Sequence, residues 1–270
     1  MKFKIGFSAE EKKESPVQKV RQEEKPEVKP KPSLADIRFP DIYRSYTYYN
    51  DRFDLHEGDI VFVDGKLEGV AGRVAAVNYN FKIKLSDYKR VISVADTDVK
   101  GQLYFGGTRV ISFDPKTIPF TKIASWYFPP ADPEEIVSGE DDSTIILDKP
   151  ETWKVDIDLS EYGSDDDICD VIYLSLYNGV GRAIVKGKKR RVVEFFYENG
   201  EISKLTCDCY SAGMCWHEIA ALFELRRKLK WIEENYADEF QKTSYFAELD
   251  KAAFCNMVLM SRQSGTFQIG

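Results

Sequence analysis

Eleven residues, Cys207-Asp-Cys-Tyr-Ser-Ala-Gly-Met-Cys-Trp-His217, constrain this chain more than any other stretch. They hold three of its five cysteines and one of its two histidines. They also lie where one secondary-structure pattern gives way to another. Upstream, the β-rich run Arg191–Glu198 is followed by Asn199-Gly200 and then by a second β-rich run, Glu201–Cys207. Asn-Gly between such runs predicts a hairpin, because both residues accept the positive φ of a type I′ turn. An earlier strand is expected at Gly181–Val185, turning through Lys186-Gly-Lys-Lys189. Downstream, Ile219, Leu222, Phe223, Leu229 and Ile232 recur at spacings of three and four. That stripe predicts a helix from Trp216 to about Tyr236. Its late cations, Arg226, Arg227, Lys228 and Lys230, suit the negative end of the helix dipole.

The cluster therefore joins a strand end to a helix start. Cys207 and Cys209 are two apart, which in an extended strand end puts both sulfurs on one face. Cys215 and His217 are also two apart, and such residues do not face each other within a helix. Cys215 is thus expected just before the helix and His217 in its first turn, with Gly213 letting the intervening loop curl back. Three thiolates and one imidazole are a standard donor set for tetrahedral structural Zn²⁺. The bland alternative is a chance group of buried cysteines. A reactive thiol is a third reading, with His217 as the nearest base. Zinc is favoured by the paired spacing and by the flanking hairpin and helix.

Cys-x-Cys-x5-Cys-x-His on a hairpin running into an apolar helix resembles the SWIM-type zinc finger. The likeness covers about residues 177–229 and includes Val185-Lys-Gly187, the Val193–Cys207 hairpin and Glu218-Ile-Ala-Ala-Leu222. The resemblance implies that Cys207, Cys209, Cys215 and His217 are the ligands of one Zn²⁺. It also implies DNA binding or protein contacts, often beside a helicase-like ATPase or a transposase. Trp216 stands between the last two ligands, where many members carry a basic residue.

Charge is uneven along the chain, which carries −7 in total. Residues 36–176 hold 15 basic and 27 acidic side chains, whereas residues 177–232 hold 11 and 6. The cysteine-bearing segment is a basic island, which suits a phosphate-bearing partner. Lys186, Lys188, Lys189, Arg190 and Arg191 are its candidate nucleic-acid contacts, against the plainer reading of a solvated turn. Tyr79, Phe81, Lys82 and Lys84 pair aromatics with bases, though a strand core and its solvated edge account for them better.

Elsewhere the chain offers less chemistry. Residues 1–35 are rich in Lys, Glu and Pro and read as a disordered tail. Short β runs at Asp59–Val63, Gly72–Val77, Phe81–Leu85 and Arg90–Val94 point to a small antiparallel barrel or sandwich over residues 36–130. The text Gly58-Asp-Ile-Val-Phe-Val63 through Val77 resembles an SH3-like barrel over about forty residues. Residues 131–170 read as an acidic connector with short strands at Ser143–Leu147 and Trp153–Ile157. Asp165–Asp167 within it lacks the spaced ligands of a calcium loop and reads as solvated. Phe246–Phe254 reads as an amphipathic helix and Ser264–Gly270 as a strand. Cys169 and Cys255 read as buried thiols, and His56 as a turn residue.

The expected architecture is α+β: a small N-terminal β-barrel and a C-terminal zinc-stapled hairpin and helix domain, residues 171–270. No run approaches the roughly 18 apolar residues of a membrane span, and no phosphate-binding loop of the Gly-x4-Gly-Lys-Ser/Thr type occurs. Odd, clustered cysteines suit a reducing compartment, so a cytoplasmic location is expected. The expected role is a zinc-dependent module binding nucleic acid, with a protein adaptor as the alternative. No catalysis is expected, because a site with four protein ligands leaves no open position for substrate.

Overall fold

The computed structural model describes residues 30–40, 42–131, 139, 143–153, 169–209, 211, 213–263 and 265–270. The expected tail (to residue 29), the strand over residues 154–157 and the Asp165–Asp167 loop lie outside these residues.

Two sheets carry the described residues. The first contains β1 (Ser33–Arg38), β2 (Tyr46–Asn50), β3 (Ile60–Val63), β4 (Gly72–Asn78) and β5 (Val91–Val94), in the order β2-β1-β4-β3-β5. Ala35, Ile37, Val61, Val63 and Val74 bury one face of it together with Leu55. Ser33–Ala35, expected to close the tail, instead start β1, with Ala35 fully buried.

The second sheet has nine strands and unites distant parts of the chain. It takes β6 (Lys100–Gly106) and β7 (Arg109–Ser112) from the first half, and the short β8 (Ile145–Ile146) from just past the midpoint. From the second half it takes β9 (Asp170–Tyr177), β10 (Val180–Lys186), β11 (Arg190–Glu198), β12 (Glu201–Cys207), β13 (Tyr245–Asp250) and β14 (Thr266–Ile269). Its order is β14-β6-β7-β13-β9-β10-β11-β12-β8. The short helix α1 (Phe120–Ala124) precedes β8. Helices α2 (Trp216–Asn235) and α3 (Ala237–Thr243) intervene between β12 and β13, and α4 (Lys251–Phe254) follows β13.

This architecture corrects the expected barrel. The molecule is mostly β, and its two sheets are large and open. The edges of the five-stranded sheet meet at one bridge, Tyr49 with Arg90, and no ladder closes it. The strands at residues 100–112 turn away from the first sheet altogether, because β7 pairs along β13 from Asp250↔Arg109 to Ala247↔Ser112.

Two local expectations also fail for tertiary reasons. Phe81–Leu85 has the alternation of a strand but forms no ladder. The strand before it, β4, is already paired on both sides, by β1 and β3; Phe81 instead sets its ring edge-on to Tyr49. Phe246–Phe254 is a strand before it is a helix. Tyr245 through Leu249 are all buried, since β13 lies between β7 and β9 and both its faces are covered. Only Lys251–Phe254 is helical, continuing into a π turn over Cys255–Leu259.

The central hairpins follow local chemistry. Asn199 and Gly200 both have positive φ and join β11 to β12. Asn178-Gly179 repeats the same turn between β9 and β10, a signal equally present in the sequence and not used there. One face of the nine-stranded sheet packs Leu174, Val185, Phe195 and Phe246 against Leu222 and Leu225 of α2. The other packs Tyr173, Ile184, Val110 and Leu249 against Trp126 and Phe254. Six consecutive residues of β9, Val171–Leu176, are buried, as expected for a strand covered on both faces.

Candidate metal centre

β12 delivers Cys207 at its last position, opposite Val193 of β11. The pairing is carried one residue further by Asp208, whose Oδ1 accepts from the Val192 N–H at 2.9 Å. Cys209 therefore sits in the turn after the strand rather than on it. Cys215 is the N-cap of α2, with an extended backbone at φ −102° and ψ 167°. Its N–H donates to Glu218 Oε2 at 2.8 Å, and its carbonyl accepts from Ile219 at 3.0 Å. The helix geometry then sets His217 in the first turn, with Nδ1 3.7 Å from Cys215 Sγ.

One ligand atom each from Cys207, Cys209, Cys215 and His217 falls within 4.8 Å of all the others, so the group can hold a metal ion. Around tetrahedral Zn²⁺ with Zn–S bonds of about 2.3 Å, donor atoms stand about 3.8 Å apart. The Cys215–His217 separation is already of that size. Cys215 is buried and the other three are half-buried.

The sulfurs do not share charge equally. Hydrogen bonding from Cys207 holds the Cys215 thiol down to about 3; burial opposes this, and His217 assists. The Cys207 thiol is pushed well above its usual range, first by its hydrogen bond to Cys215 and then by burial. Burial likewise raises Cys209. The three sulfurs thus differ in how readily they ionise, and a divalent cation among them would displace the protons that remain. Burial also pushes the Glu218 carboxyl up to about 7, against its hydrogen bond from Cys215.

A second shell of contacts was not legible in the sequence. A Cβ placed on Gly187 would stand 3.2 Å from His217 Nε2 and 3.3 Å from Cys169 Sγ. The β10–β11 turn therefore lies against the Nε2 side of the imidazole, with Cys169 Sγ on the same glycine. Cys169, expected to be an ordinary remote thiol, is half-buried beside the cluster in space. The signal for this was the turn glycine itself, which lies thirty residues before the histidine. Cys255 is half-buried elsewhere. His56 occupies a turn as expected, its N–H donating to Asp59 and its Nδ1 meeting the Asp54 carbonyl at 3.0 Å.

The five candidate bases separate into three groups. Arg191 donates to the Asp208 carbonyl at 2.7 Å, so it serves the metal turn. Lys188 and Lys189 are exposed in the turn between β10 and β11. Lys186 and Arg190 face each other across the β10–β11 ladder, and the Arg190 guanidinium lies 4.9 Å over the Tyr127 ring. Of the other pairing of aromatics and bases, Tyr79 is exposed and Phe81 packs on Tyr49.

Comparison with family models, with curated proteins and with solved structures found no match. The SWIM-type likeness therefore stands on the ligand spacing and its strand-to-helix setting. Among the described residues, no helix is long and apolar enough to cross a membrane.

Proposed function

We propose that this chain is a structural-zinc module of SWIM type that binds nucleic acid, working beside a DNA-processing enzyme such as a helicase-like ATPase. The observation that carries the reading is the convergence of Cys207, Cys209, Cys215 and His217 at a strand-to-helix junction. Four protein donors fill a tetrahedral site, so the metal holds the β12 turn to α2 and performs no catalysis. A reducing, cytoplasmic setting keeps the thiols available. The basic residues of the adjoining hairpin support the nucleic-acid part.

The test has two arms. Purified protein should contain about one zinc per chain, removable by a strong chelator; protein that purifies without metal and takes up none when zinc is supplied overturns the zinc reading. Labelled DNA and RNA should bind with an affinity that falls steeply as salt rises. A chain that retains zinc and binds neither at low salt is instead a protein adaptor. That second reading is favoured by an apolar cavity of about 890 Å³ beside Cys207, lined in part by Phe120, Ala124, Phe128, Pro130 and Val192.

A further inference from the structure

A cavity of about 750 Å³ opens between the two sheets. Arg38 and Arg73 line it from the first sheet, and Lys186, Arg190 and Arg109 from the second. The strand register makes two of these into like-charge cross-strand pairs: Arg38 opposite Arg73 on β1 and β4, and Lys186 opposite Arg190 on β10 and β11. Like charges directly opposite one another destabilise a sheet. Here one such pair from each sheet faces the same space.

Among the described residues, carboxylates leave most of these bases without an ion pair. Arg73 donates to three carbonyls, those of Gly58, Asn256 and Met260, and to no carboxylate. Arg109 is the exception, since it meets Glu224. Among the described residues, Arg38, Lys186 and Arg190 form no ion pair, and Arg190 spends its face on Tyr127. Two acids share the cavity. Asp170 lies opposite Lys186 in the ladder, and Asp250 caps α4 by accepting from the Ala253 N–H. With Arg109 paired to Glu224, four bases face two acids in this cavity, an excess that favours an anion in a chain of net −7.

We infer that this inter-sheet cleft seats the phosphates of a single nucleic-acid strand, with Lys186 and Arg190 on one wall and Arg38 and Arg73 on the other. The inference rests on the nucleic-acid reading above and places the contact away from the tip of the hairpin. The volume lies within the range for ligand-sized pockets, about 300–1,000 Å³, so it admits a few nucleotides and excludes a duplex. The exposed Arg38, Lys186 and Arg190 suit a backbone that must be held without regard to sequence.

The experiment measures fluorescence anisotropy of labelled single-stranded oligonucleotides on the zinc-loaded chain across a salt series. Arg38→Glu and Lys186→Glu should each weaken binding about tenfold, and Arg38→Gln should reduce the salt slope by about one. Neutralising the hairpin tip with Lys188→Gln and Lys189→Gln should weaken binding less than Arg38→Glu or Lys186→Glu does. Thermal melting of each variant, with Arg38→Gln as the milder change, separates lost contact from lost fold. If the Lys188/Lys189 variant loses binding and Arg38→Glu does not, the strand lies on the hairpin tip. The cleft inference then fails while the nucleic-acid reading stands. Equal affinity for duplex, or a mononucleotide binding as tightly as the oligomer, also overturns it. No binding to any nucleic acid sinks both readings.

Discussion

Lys228 Nζ lies 2.7 Å from Glu248 Oε2, with the two side chains 3% and 0% exposed. The pair ties the middle of α2 to the centre of β13. It belongs to a larger buried group: Glu224, one turn earlier on α2, meets Arg109 of β7 at 3.6 Å and also pairs with Arg227. Lys228 additionally lies 4.8 Å from the Trp231 ring. Burial raises the Glu248 carboxyl, and the neighbouring Glu224 adds to the rise against the pull of Lys228 and Arg109. Burial also acts to raise Glu224, but hydrogen bonding from Glu248 and Arg227, with the charge of Arg109, brings it down to about 2. The two carboxyls are thus driven apart, Glu224 toward its ionised form and Glu248 toward its neutral one.

Removing one partner of a buried pair leaves the other charge uncompensated, at a cost of about 3–5 kcal/mol. Glu248→Leu leaves the buried Lys228 ammonium without its carboxyl and should therefore lower unfolding stability by about 3 kcal/mol. Lys228→Met combined with Glu248→Leu should recover most of that loss. Urea unfolding of the two single variants and the double variant checks both outcomes. An additive double variant contradicts the coupling.

The same group sets a pH dependence. With its pKa raised, Glu248 holds its proton in the folded chain where the unfolded chain has lost it. Its contribution is complete below the ordinary glutamate value of about 4.3 and is lost as pH rises through the raised one. Glu224 acts in the opposite sense, its contribution being present above that ordinary value and lost in stronger acid. Glu248→Gln should flatten the decline of stability between mildly acidic and mildly alkaline pH. Denaturant midpoints measured across that interval, with and without the substitution, read the change.

Metal removal should act locally. Ile219, Leu222, Leu225 and Ile232 of α2 are buried against the sheet, each contributing about 1.5–3 kcal/mol. That burial keeps α2 docked when the metal is gone. Chelation, or Cys209→Ser, should raise amide hydrogen exchange around residues 207–217 and leave β9 and β10 protected. Loss of protection throughout the sheet would show that the metal holds far more than the junction.

Metal affinity should also depend on the turn behind the histidine. Gly187→Val puts branched atoms where a single Cβ already stands 3.2 Å from His217 Nε2. Zinc affinity, measured by competition with a coloured chelator, should fall about 10–100-fold, the usual range for outer-shell changes. Gly187→Ala should fall between this variant and the parent chain. Affinity should rise with pH in all three, because Cys207 and Cys209, both raised, must lose protons to bind metal.

What the sequence determined by itself was local. The Asn199-Gly200 turn, the extent of α2 and the meeting of Cys207, Cys209, Cys215 and His217 all depend on residues within about thirty positions of one another. Backbone preference and helix period act over that range, so the candidate metal site could be read before any fold was known. The tertiary structure decided what depends on distant pairing. Lys228 reads in the sequence as one of four late cations suited to the helix dipole, yet it is buried because β13 brings Glu248 beneath it. Phe246–Leu249 has apolar spacing compatible with a helix, and two flanking strands make it β instead. Arg38 carries no local signal at all, and only the approach of one sheet to the other sets it across a cleft from Lys186 and Arg190. Periodicity specifies which face of an element is apolar; what that face, or the charge beside it, will meet is fixed only when chain segments far apart in sequence pair.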